Sequence, residues 1–456
     1  MSARNRELFA LIPATLLLTA GFAAVFIQRE NLLNDLSLTY GAIFLALCLA
    51  AHLVLRLTLP DADPYLFPLV AVLACFGLVM LYRLDEELAR EQAQWFVVGL
   101  VFFTATIVAL RRDHRVLERY RYVIALGGIL LLLLPRLGNP VNGAYLSFDM
   151  GPISFQPAEL AKIAIVIFLA SYLRDTRQVL VIGARRFAGI TFPPLKHLGP
   201  LLAVWGTAML LLFVIQDLGS SLMFFGGFLA LVYVATNRIS FVIIGVSLFA
   251  LGARVLYALR PTIESRVDAW LHPFDPTLYN QDPGGSFQIA QSIFSQADGG
   301  LFGQGFGQAI IDVPSGRILP AAHTDFIYAV LGEELGLVGT LLVLALFLTI
   351  AYAGFRVALR TKDPFVRYMS AGITIWLTVQ MMINVGMVLA LLPVIGIPMP
   401  LVSYGGSALL PSLVALGLLL SFARSEPGAQ AALRARRRRR TPAGVTAGGG
   451  LPRRAR

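Results

Sequence analysis

The stretch that decides the fold is INVGMVLALLPVIGIPMPLVSYGGSALL, residues 383–410. It contains no charged residue, and an uncharged apolar run of this length is typical of a membrane span. The run is broken by Pro393, Pro398 and Pro400 and restarts at Ser403–Ser407, with sequence SYGGS. Interrupted membrane helices often mark a site, because the broken backbone offers unpaired N–H and C=O groups. This stretch therefore predicts a membrane protein with a polar site at the interruption.

The composition of the whole chain supports the same fold class. The chain has 456 residues, of which 57% are hydrophobic and 14% charged, and its mean hydropathy is +0.74. A soluble domain has about 25% charged and 45–50% apolar residues. A soluble enzyme, a disordered chain and a water-facing nucleic-acid module are thereby excluded. We expect an all-α polytopic membrane protein, and Cys48 and Cys75, both in apolar runs, form no disulfide framework or zinc pattern.

Apolar windows predict about twelve transmembrane helices. They lie near residues 8–27, 39–59, 66–82, 94–110, 121–135, 157–173, 198–215, 219–235, 239–258, 325–353, 366–392 and 404–423. The first window is longer than the apolar region of a signal peptide, so we interpret it as a retained anchor.

The basic residues predict the orientation in the membrane. With the N-terminus in the cytoplasm, roughly 28 of the 37 Lys and Arg residues fall on cytoplasmic segments, the positive-inside pattern. Both termini are then cytoplasmic. Residues 424–456 form an Arg-rich tail that we predict to be disordered. Its Arg436–Arg440 run favours contact with anionic lipid headgroups over nucleic acid.

The same topology places one long loop, residues 259–324, outside the cytoplasm. Loops this long are usually functional or disordered. Its segments WLHPFDP and FQIAQSIF predict short amphipathic or re-entrant helices, and the second contains Gln288. The Gly-rich run from Gly299 to Gln308 favours tight turns, with a phosphate cradle as the weaker alternative.

Acidic residues stand where the chain re-enters the membrane, in HTDFIYAVLGEELG. Ionisable groups at membrane depth indicate a functional site by default. Asp325 is equally explained as a helix N-cap, since Asp at a helix start accepts backbone N–H bonds. For Glu333 and Glu334, one is expected to be an internal ion-pair partner and the other to face solvent.

Two further polar groups indicate a polar cavity inside the bundle. Glu159 and Lys162 lie three residues apart in SFQPAELAKIAIV and share a helix face. A structural ion pair and a substrate-facing role are equally compatible with that spacing. Asp217, in IQDLGSS between two spans, needs a cationic partner, which Lys162 or Arg266 would supply.

These blocks resemble the SEDS family (shape, elongation, division and sporulation), whose members include RodA, FtsW and SpoVE. QPAELAK, DLGSS, the Gly-rich run, HTDFIYAVLGEELG and the closing SYGGS segment stand in the family's order. The resemblance covers residues 66–423, a ten-helix core that includes the long loop. Residues 1–65 then form two additional N-terminal helices. The chain departs from the family pattern at Leu146-Ser147, at Gln304 and at Ala321-Ala322.

The resemblance implies peptidoglycan glycosyltransfer, the polymerisation of lipid II into glycan strands during cell elongation or division. It also implies that the protein lies in a bacterial cell (inner) membrane. The family's essential acid falls on Asp325, which we expect to act as general base on the acceptor hydroxyl. A class B penicillin-binding protein, a single-span transpeptidase, is the implied partner.

Further contacts with the substrate are expected from polar and glycine residues of the matching blocks. They are Lys162, Glu159, Asp217, Arg266, Gln288, Ser403, Gly405, Gly406 and Ser407. The acidic long loop would allow a divalent cation, Mg²⁺ or Mn²⁺, to bridge carboxylate and diphosphate. No compact metal-ligand motif is present, so we assign no metal ligands.

Two other functions fit parts of the same pattern. A lipid II flippase or other carrier would also place polar residues and a broken helix inside the bundle. Against it stands the single long outside loop that ends in an acid at the membrane edge. The second alternative is a non-catalytic scaffold of a cell-wall synthesis complex.

We predict that a reporter fused to the tail will be cytoplasmic and that one inserted in the 259–324 loop will be outside. Green fluorescent protein should fluoresce on the tail, and alkaline phosphatase should be active only in the loop. The reverse pattern would overturn the orientation derived from the basic residues.

Overall fold

The computed structural model describes residues 2–30, 35–111, 113–138, 148–150, 153–182, 185–187, 190–192, 206, 218–259, 261–281, 285–310, 312–313 and 316–423. Asp217 and the predicted disordered tail, residues 424–456, lie outside these ranges.

Helices make up most of the described chain. They are α1 (Ala3–Glu30), α2 (Asp35–Thr58), α3 (Leu66–Leu84), α4 (Glu86–Ala109), α5 (Arg115–Arg119), α6 (Arg121–Leu133), α7 (Pro157–Ile182), α8 (Leu218–Thr236), α9 (Ile239–Leu259), α10 (Pro261–Leu271), α11 (Pro276–Tyr279), α12 (Phe287–Gly299), α13 (Ile327–Arg360), α14 (Pro364–Val388) and α15 (Gly406–Phe422). A 3₁₀ turn, Leu134–Leu137, follows α6.

Three short antiparallel hairpins join some of the helices. They pair β1 (Phe148–Met150) with β2 (Ile153–Phe155), β3 (Arg185–Phe187) with β4 (Ile190–Phe192), and β5 (Asp312–Val313) with β6 (Gly316–Arg317). None is part of a larger sheet in the described ranges, so the architecture is that of a helix bundle.

Several helices begin where the sequence supplies a cap. Asp85 accepts hydrogen bonds from the backbone N–H groups of Glu87 and Leu88 at the start of α4. At the start of α14, Asp363 accepts a hydrogen bond from the backbone N–H of Phe365. It is followed by Pro364, whose fixed φ suits the first helical turn. These caps satisfy N–H groups that a helix start leaves unpaired.

Seven described helices are long and apolar enough to cross a membrane. They contain Ala3–Val25, Thr39–Thr58, Leu66–Leu84, Glu86–Ala109, Gly219–Thr236, Ile327–Arg360 and Pro364–Val388. Every predicted span overlaps a described helix except 198–215, which lies outside the described residues apart from Gly206. The expected all-α membrane fold is therefore confirmed.

The bundle is organised around α3 and α14, whose residues are mostly buried. Helix α1 packs against α2 and α3, α4 against α15, α6 against α7, and α13 against α14. The predicted interruption of the last span is also present: α14 ends at Val388, α15 begins at Gly406, and no helix lies between them. We call residues 389–405 the broken segment.

Charged groups join the two N-terminal helices to the rest of the bundle. Glu7, which is fully buried, pairs with Arg4 and with Nδ1 of His52 at 2.7 Å. Arg4 also donates to the Ala62 carbonyl at 2.6 Å, and the neighbouring Asp63 pairs with Arg356 near the end of α13. The chain of contacts fixes α1 and α2 against the core at one end of the bundle.

The Gly-rich run packs into a kink of α13. Gly336 interrupts this helix with a φ of 65°, which glycine tolerates best. A Cβ on Gly336 would lie 2.4 Å from the backbone nitrogen of Gly303. Across the kink, the N–H groups of Gln304 and Gly305 donate to the carbonyls of Glu333 and Glu334 at 2.8 and 3.1 Å. Turn chemistry therefore explains this run, since these N–H groups are already used and cannot also cradle a phosphate.

We predict that Gly336→Ala will lower stability by at least about 2 kcal/mol, because the left-handed backbone and the close approach both exclude a Cβ. Gly252→Ala in α9, where a Cβ would meet nothing within 4 Å, should leave stability unchanged or slightly higher. Thermal unfolding of the purified variants in detergent measures both. Equal melting temperatures would contradict the packing described.

Candidate active site

Asp325 lies in the turn that leads into α13. The helix begins at Ile327, with Phe326 at the N-cap position and no side-chain cap bond, so the N-cap interpretation of Asp325 is wrong. The turn is closed by the backbone N–H groups of Thr324 and Phe326, which donate to the Ala321 carbonyl at 3.1 and 3.2 Å. Asp325 itself is half-buried. Asp325 therefore lies before the first residue of α13, with part of the residue accessible.

One buried amide joins Asp325 to the broken segment. Nδ2 of Asn384 donates to the backbone carbonyl of Asp325 at 2.8 Å and to that of Ile397 at 2.7 Å. Asn384 is fully buried, and its Oδ1 has no hydrogen-bond partner among the described residues. A Cβ added to Gly396 would lie 3.5 Å from Oδ2 of Asp325. The carboxylate therefore lies against the glycine of the broken segment.

A second amide, one turn earlier on α14, holds the next residue of the broken segment. Nε2 of Gln380 donates to the Pro398 carbonyl at 3.1 Å, while its Oε1 accepts from the Trp376 indole at 3.0 Å. Gln380 and Asn384 were not among the expected substrate-binding residues. Their signal was present, because two amides four residues apart on an apolar helix share one face.

Lys162 and Glu159 form the buried ion pair that their spacing predicts, at 2.5 Å. Lys162 Nζ also lies 3.5 Å from Gln380 Oε1 and 5.6 Å from the centre of the Trp376 ring. A cavity of about 30 Å³, otherwise lined by apolar residues, lies beside Lys162 and has room for about one water molecule. Through Gln380, this pair is connected to the broken segment.

The SYGGS segment is fixed to α4. Gln92 donates through Nε2 to the Ser403 carbonyl and accepts at Oε1 from the Gly405 N–H, both at 3.2 Å. A Cβ on Gly406 would lie 1.8 Å from the Trp95 ring, so only glycine fits there. Ser403 is buried, and its Oγ accepts from the Met399 N–H at 2.8 Å.

These contacts give Ser403 and Gly406 packing roles, and Ser407 is buried as well. Within SYGGS only Tyr404 and Gly405 remain partly exposed. A contact between Ser403, Gly405, Gly406 or Ser407 and substrate stays a prediction.

Tyr404 connects the SYGGS segment to the block that contains Asp325. Its backbone N–H donates to the His323 carbonyl at 2.8 Å, and the two rings meet edge to face with centroids 5.9 Å apart. Its hydroxyl donates to Oε2 of Glu91 at 2.5 Å. Partial burial, together with this carboxylate, raises the pKa of Tyr404 well above its usual value, so the hydroxyl keeps its proton. Sequence reasoning missed Glu91, because no local pattern links it to residue 404.

The Glu333–Glu334 pair anchors the long loop. Fully buried Glu334 pairs with Nε of Arg83 at 3.0 Å, and Arg83 also donates to the carbonyls of Gly307 and Ala309 at 3.0 and 2.9 Å. Glu333 is buried too and accepts from the Ile310 N–H at 3.0 Å. The expected ion pair is confirmed, whereas the expected solvated carboxylate is wrong because the loop covers it.

Arg266 and Gln288 lie on loop helices that dock on the end of α14. On α10, the Trp270 indole donates to the Ala390 carbonyl at 2.8 Å. Arg266 lies one turn before Trp270 on the same helix and is half-buried. On α12, the Ser292 hydroxyl donates to the Val388 carbonyl at 2.8 Å. Gln288 lies one turn before Ser292 on the same helix and is half-buried. Both helices thus reach α14 about one turn past Asn384.

Within the searched ranges, no group of three or more His, Cys, Asp or Glu side chains is arranged to hold a metal ion. The described residues therefore offer no all-protein metal site.

We predict that Asn384→Ala will reduce activity at least tenfold while the protein still folds, because the Asp325 and Ile397 carbonyls would lose their shared donor. Asn280→Ala is the matched control, since exposed Asn280 donates to a single loop carbonyl. Product formation from lipid II, the substrate that the SEDS resemblance implies, measures the effect. An Asn384→Ala variant as active as the control would contradict the positioning role.

Known proteins share this sequence and fold. A sequence model described as "Cell cycle protein" (FTSW_RODA_SPOVE) matches residues 64–427. The peptidoglycan glycosyltransferase RodA of Mycobacterium tuberculosis is 39% identical over 98% of this chain and 95% of its own length. The probable peptidoglycan glycosyltransferase FtsW of Geobacter metallireducens is 34% identical over 81% of this chain and 97% of its own.

Solved structures agree with this relationship. A chain from a structure titled "Structural coordination of polymerization and crosslinking by a peptidoglycan synthase complex" has a TM-score of 0.63 and 28% identity, covering 80% of this chain and 98% of that one. Thermus thermophilus Rod shape determining protein RodA has a TM-score of 0.57 and 26% identity, with coverage of 80% and 98%. The chain therefore belongs to the FtsW/RodA/SpoVE family of integral membrane proteins, the SEDS family that its motifs resemble.

Proposed function

We propose that this protein is a peptidoglycan glycosyltransferase that polymerises lipid II, with Asp325 as the general base. The mycobacterial relative, named as such an enzyme and 39% identical over nearly the full chain, supports the reaction class. The observation that carries the assignment of the base is the Asn384 bridge, which holds Asp325 beside the broken segment. Asp325 lies before the N-cap residue of α13 and is partly accessible.

The reaction joins the 4-hydroxyl of an acceptor sugar to the anomeric carbon of a donor. A hydroxyl is a weak nucleophile, so Asp325 takes its proton as the new C–O bond forms. The bond from the anomeric carbon to the lipid diphosphate breaks, and the diphosphate leaves with the electron pair. A direct displacement of this kind inverts the anomeric carbon. Fixing the backbone on both sides of the carboxylate lowers the cost of orienting it.

The departing diphosphate needs positive charge nearby. Arg266 and Lys162 are the side chains that we assign to this task, while Glu159 holds Lys162 in place through their ion pair. Gln288 and Asp217 complete the set of expected substrate contacts. A divalent cation, Mg²⁺ or Mn²⁺, bound through the diphosphate itself would add to this charge.

The proposal includes an arrangement in the membrane and a partner. About twelve helices span it, ten in the core of residues 66–423 and two in residues 1–65, with the 259–324 loop outside and both termini and the Arg-rich tail in the cytoplasm. A class B penicillin-binding protein is the proposed partner. The structural neighbour whose title couples polymerisation to crosslinking supports a partner of this kind.

A lipid II flippase and a non-catalytic scaffold remain the alternative functions. The single long loop that ends in an acid at the membrane edge favours the enzyme, because it places a carboxylate where an acceptor hydroxyl would be deprotonated. A carrier also needs its site to be reachable from both sides of the membrane, and the contacts of Asp325 join it to the loop-side end of α14.

We predict that purified protein in detergent will convert labelled lipid II to glycan strands. Asp325→Asn should lower the rate of product formation at least about 10²-fold, because the amide cannot accept the proton. Asp298→Asn, at an exposed position of α12, is the control and should keep full activity. The same assay with Mg²⁺, Mn²⁺ or a chelator tests the cation.

Other outcomes of this experiment identify the alternatives. Lipid II movement across vesicles without glycan product would establish a carrier. Absence of product, together with cells that grow normally with Asp325→Asn, would establish a scaffold.

A further inference from the structure

We propose that the Tyr404 ring is a binding platform for a sugar ring of the lipid-linked substrate, and that Glu91 is the residue that positions it. The proposal rests on the glycosyltransferase function above and assigns one of its sugar contacts.

Exposure singles out Tyr404 within the SYGGS segment. Ser403, Gly406 and Ser407 are buried, so Tyr404 has the only side chain of the segment that belongs to a partly exposed residue, since Gly405 has none. The Tyr404 backbone is bonded to His323, two residues before Asp325. The partly exposed Tyr404 is therefore joined directly to the block that supplies the proposed base.

Three contacts hold the Tyr404 ring in one orientation. The backbone N–H is bonded to the His323 carbonyl at 2.8 Å, the ring edge meets the His323 ring, and the hydroxyl is bonded to Glu91 at 2.5 Å. Gln92, the next residue of α4, holds the backbone on both sides of Tyr404. A ring fixed at its backbone, edge and hydroxyl loses little conformational freedom when a ligand binds.

The chemistry of a fixed, half-exposed tyrosine suits a sugar. One face of a pyranose ring carries C–H groups, which pack on the flat surface of an aromatic ring, while the sugar hydroxyls stay in water. The position also suits a lipid-linked sugar, because Glu91 lies in the second turn of α4 and Tyr404 joins it to His323, two residues before the proposed base. Since Asp325 acts on the acceptor hydroxyl, the platform is assigned to the acceptor sugar.

Glu91 is not needed to hold the fold together. Its side chain is exposed, and exposed polar contacts contribute little to stability. A change in substrate affinity on removing this carboxylate therefore reports on the orientation of the Tyr404 ring and not on unfolding.

The test measures KM and kcat for lipid II, and separately the equilibrium Kd of fluorescent lipid II, for a short series of variants. Tyr404→Leu removes the ring and should raise KM and Kd about tenfold with kcat within about twofold. Tyr404→Trp, which restores an aromatic face, should recover most of the affinity. Tyr352→Leu, at an exposed tyrosine of α13, is the control and should change neither constant.

The positioning role of Glu91 is tested by coupling. Glu91→Ala and Tyr404→Phe should each raise Kd about threefold, and the double variant should be no worse than either alone, because both remove the same bond. Glu91→Gln, which still accepts a hydrogen bond, should bind like the unaltered protein.

Equal Kd values for Tyr404→Leu and Tyr352→Leu would overturn the platform, as would a loss confined to kcat. If Tyr404→Leu fails to fold, an unchanged Kd in both Glu91→Ala and Tyr404→Phe overturns it instead. Absence of glycan product from the unaltered protein would contradict the polymerase function but leave the Kd comparison as the test of the platform.

Discussion

The site depends on one amide group, Nδ2 of Asn384, which donates to the carbonyls of Asp325 and Ile397. The two carbonyls belong to segments that meet without a helix between them: the entry to α13 and the broken segment before α15. A non-helical backbone inside a membrane protein requires such donors, because lipid supplies none. Gln380, one turn earlier, donates a hydrogen bond to the Pro398 carbonyl in the same way. The face of α14 that carries both amides therefore sets the position of the proposed base.

Buried charges stabilise the surroundings of this site through pairing. Arg83 holds Glu334 and two loop carbonyls, and Lys162 holds Glu159 beside Gln380. Removing one partner of a buried pair commonly costs 3–5 kcal/mol, so these ions specify where the loop and α7 lie. The Gly-rich run completes the loop's attachment, since Gly303 and Gly336 approach too closely for any side chain. The entry to α13 is consequently held from both the loop and the bundle.

The sequence predicted what depends on local pattern. Apolar windows located the helices, three prolines located the broken segment, and the spacing of Glu159 and Lys162 predicted their ion pair. It failed where partners are distant along the chain. One carboxylate of Glu333 and Glu334 was expected to face solvent, and Glu91 was not considered. The contacts of Glu333 with Ile310 and of Glu91 with Tyr404 join segments that periodicity treats separately. The N-cap interpretation of Asp325 failed because the turn at Ala321 carries the chain past Asp325 before α13 begins.

The central claim is that the Asp325 carboxylate takes the proton of the acceptor hydroxyl. It is tested most directly by an electron cryo-microscopy structure of the protein with a non-reactive lipid II acceptor bound. We expect the sugar 4-oxygen about 2.6–3.2 Å from an Asp325 carboxylate oxygen, or joined to it through one water. A 4-oxygen bonded to a different side chain, with the Asp325 carboxylate turned away from the sugar, would contradict it.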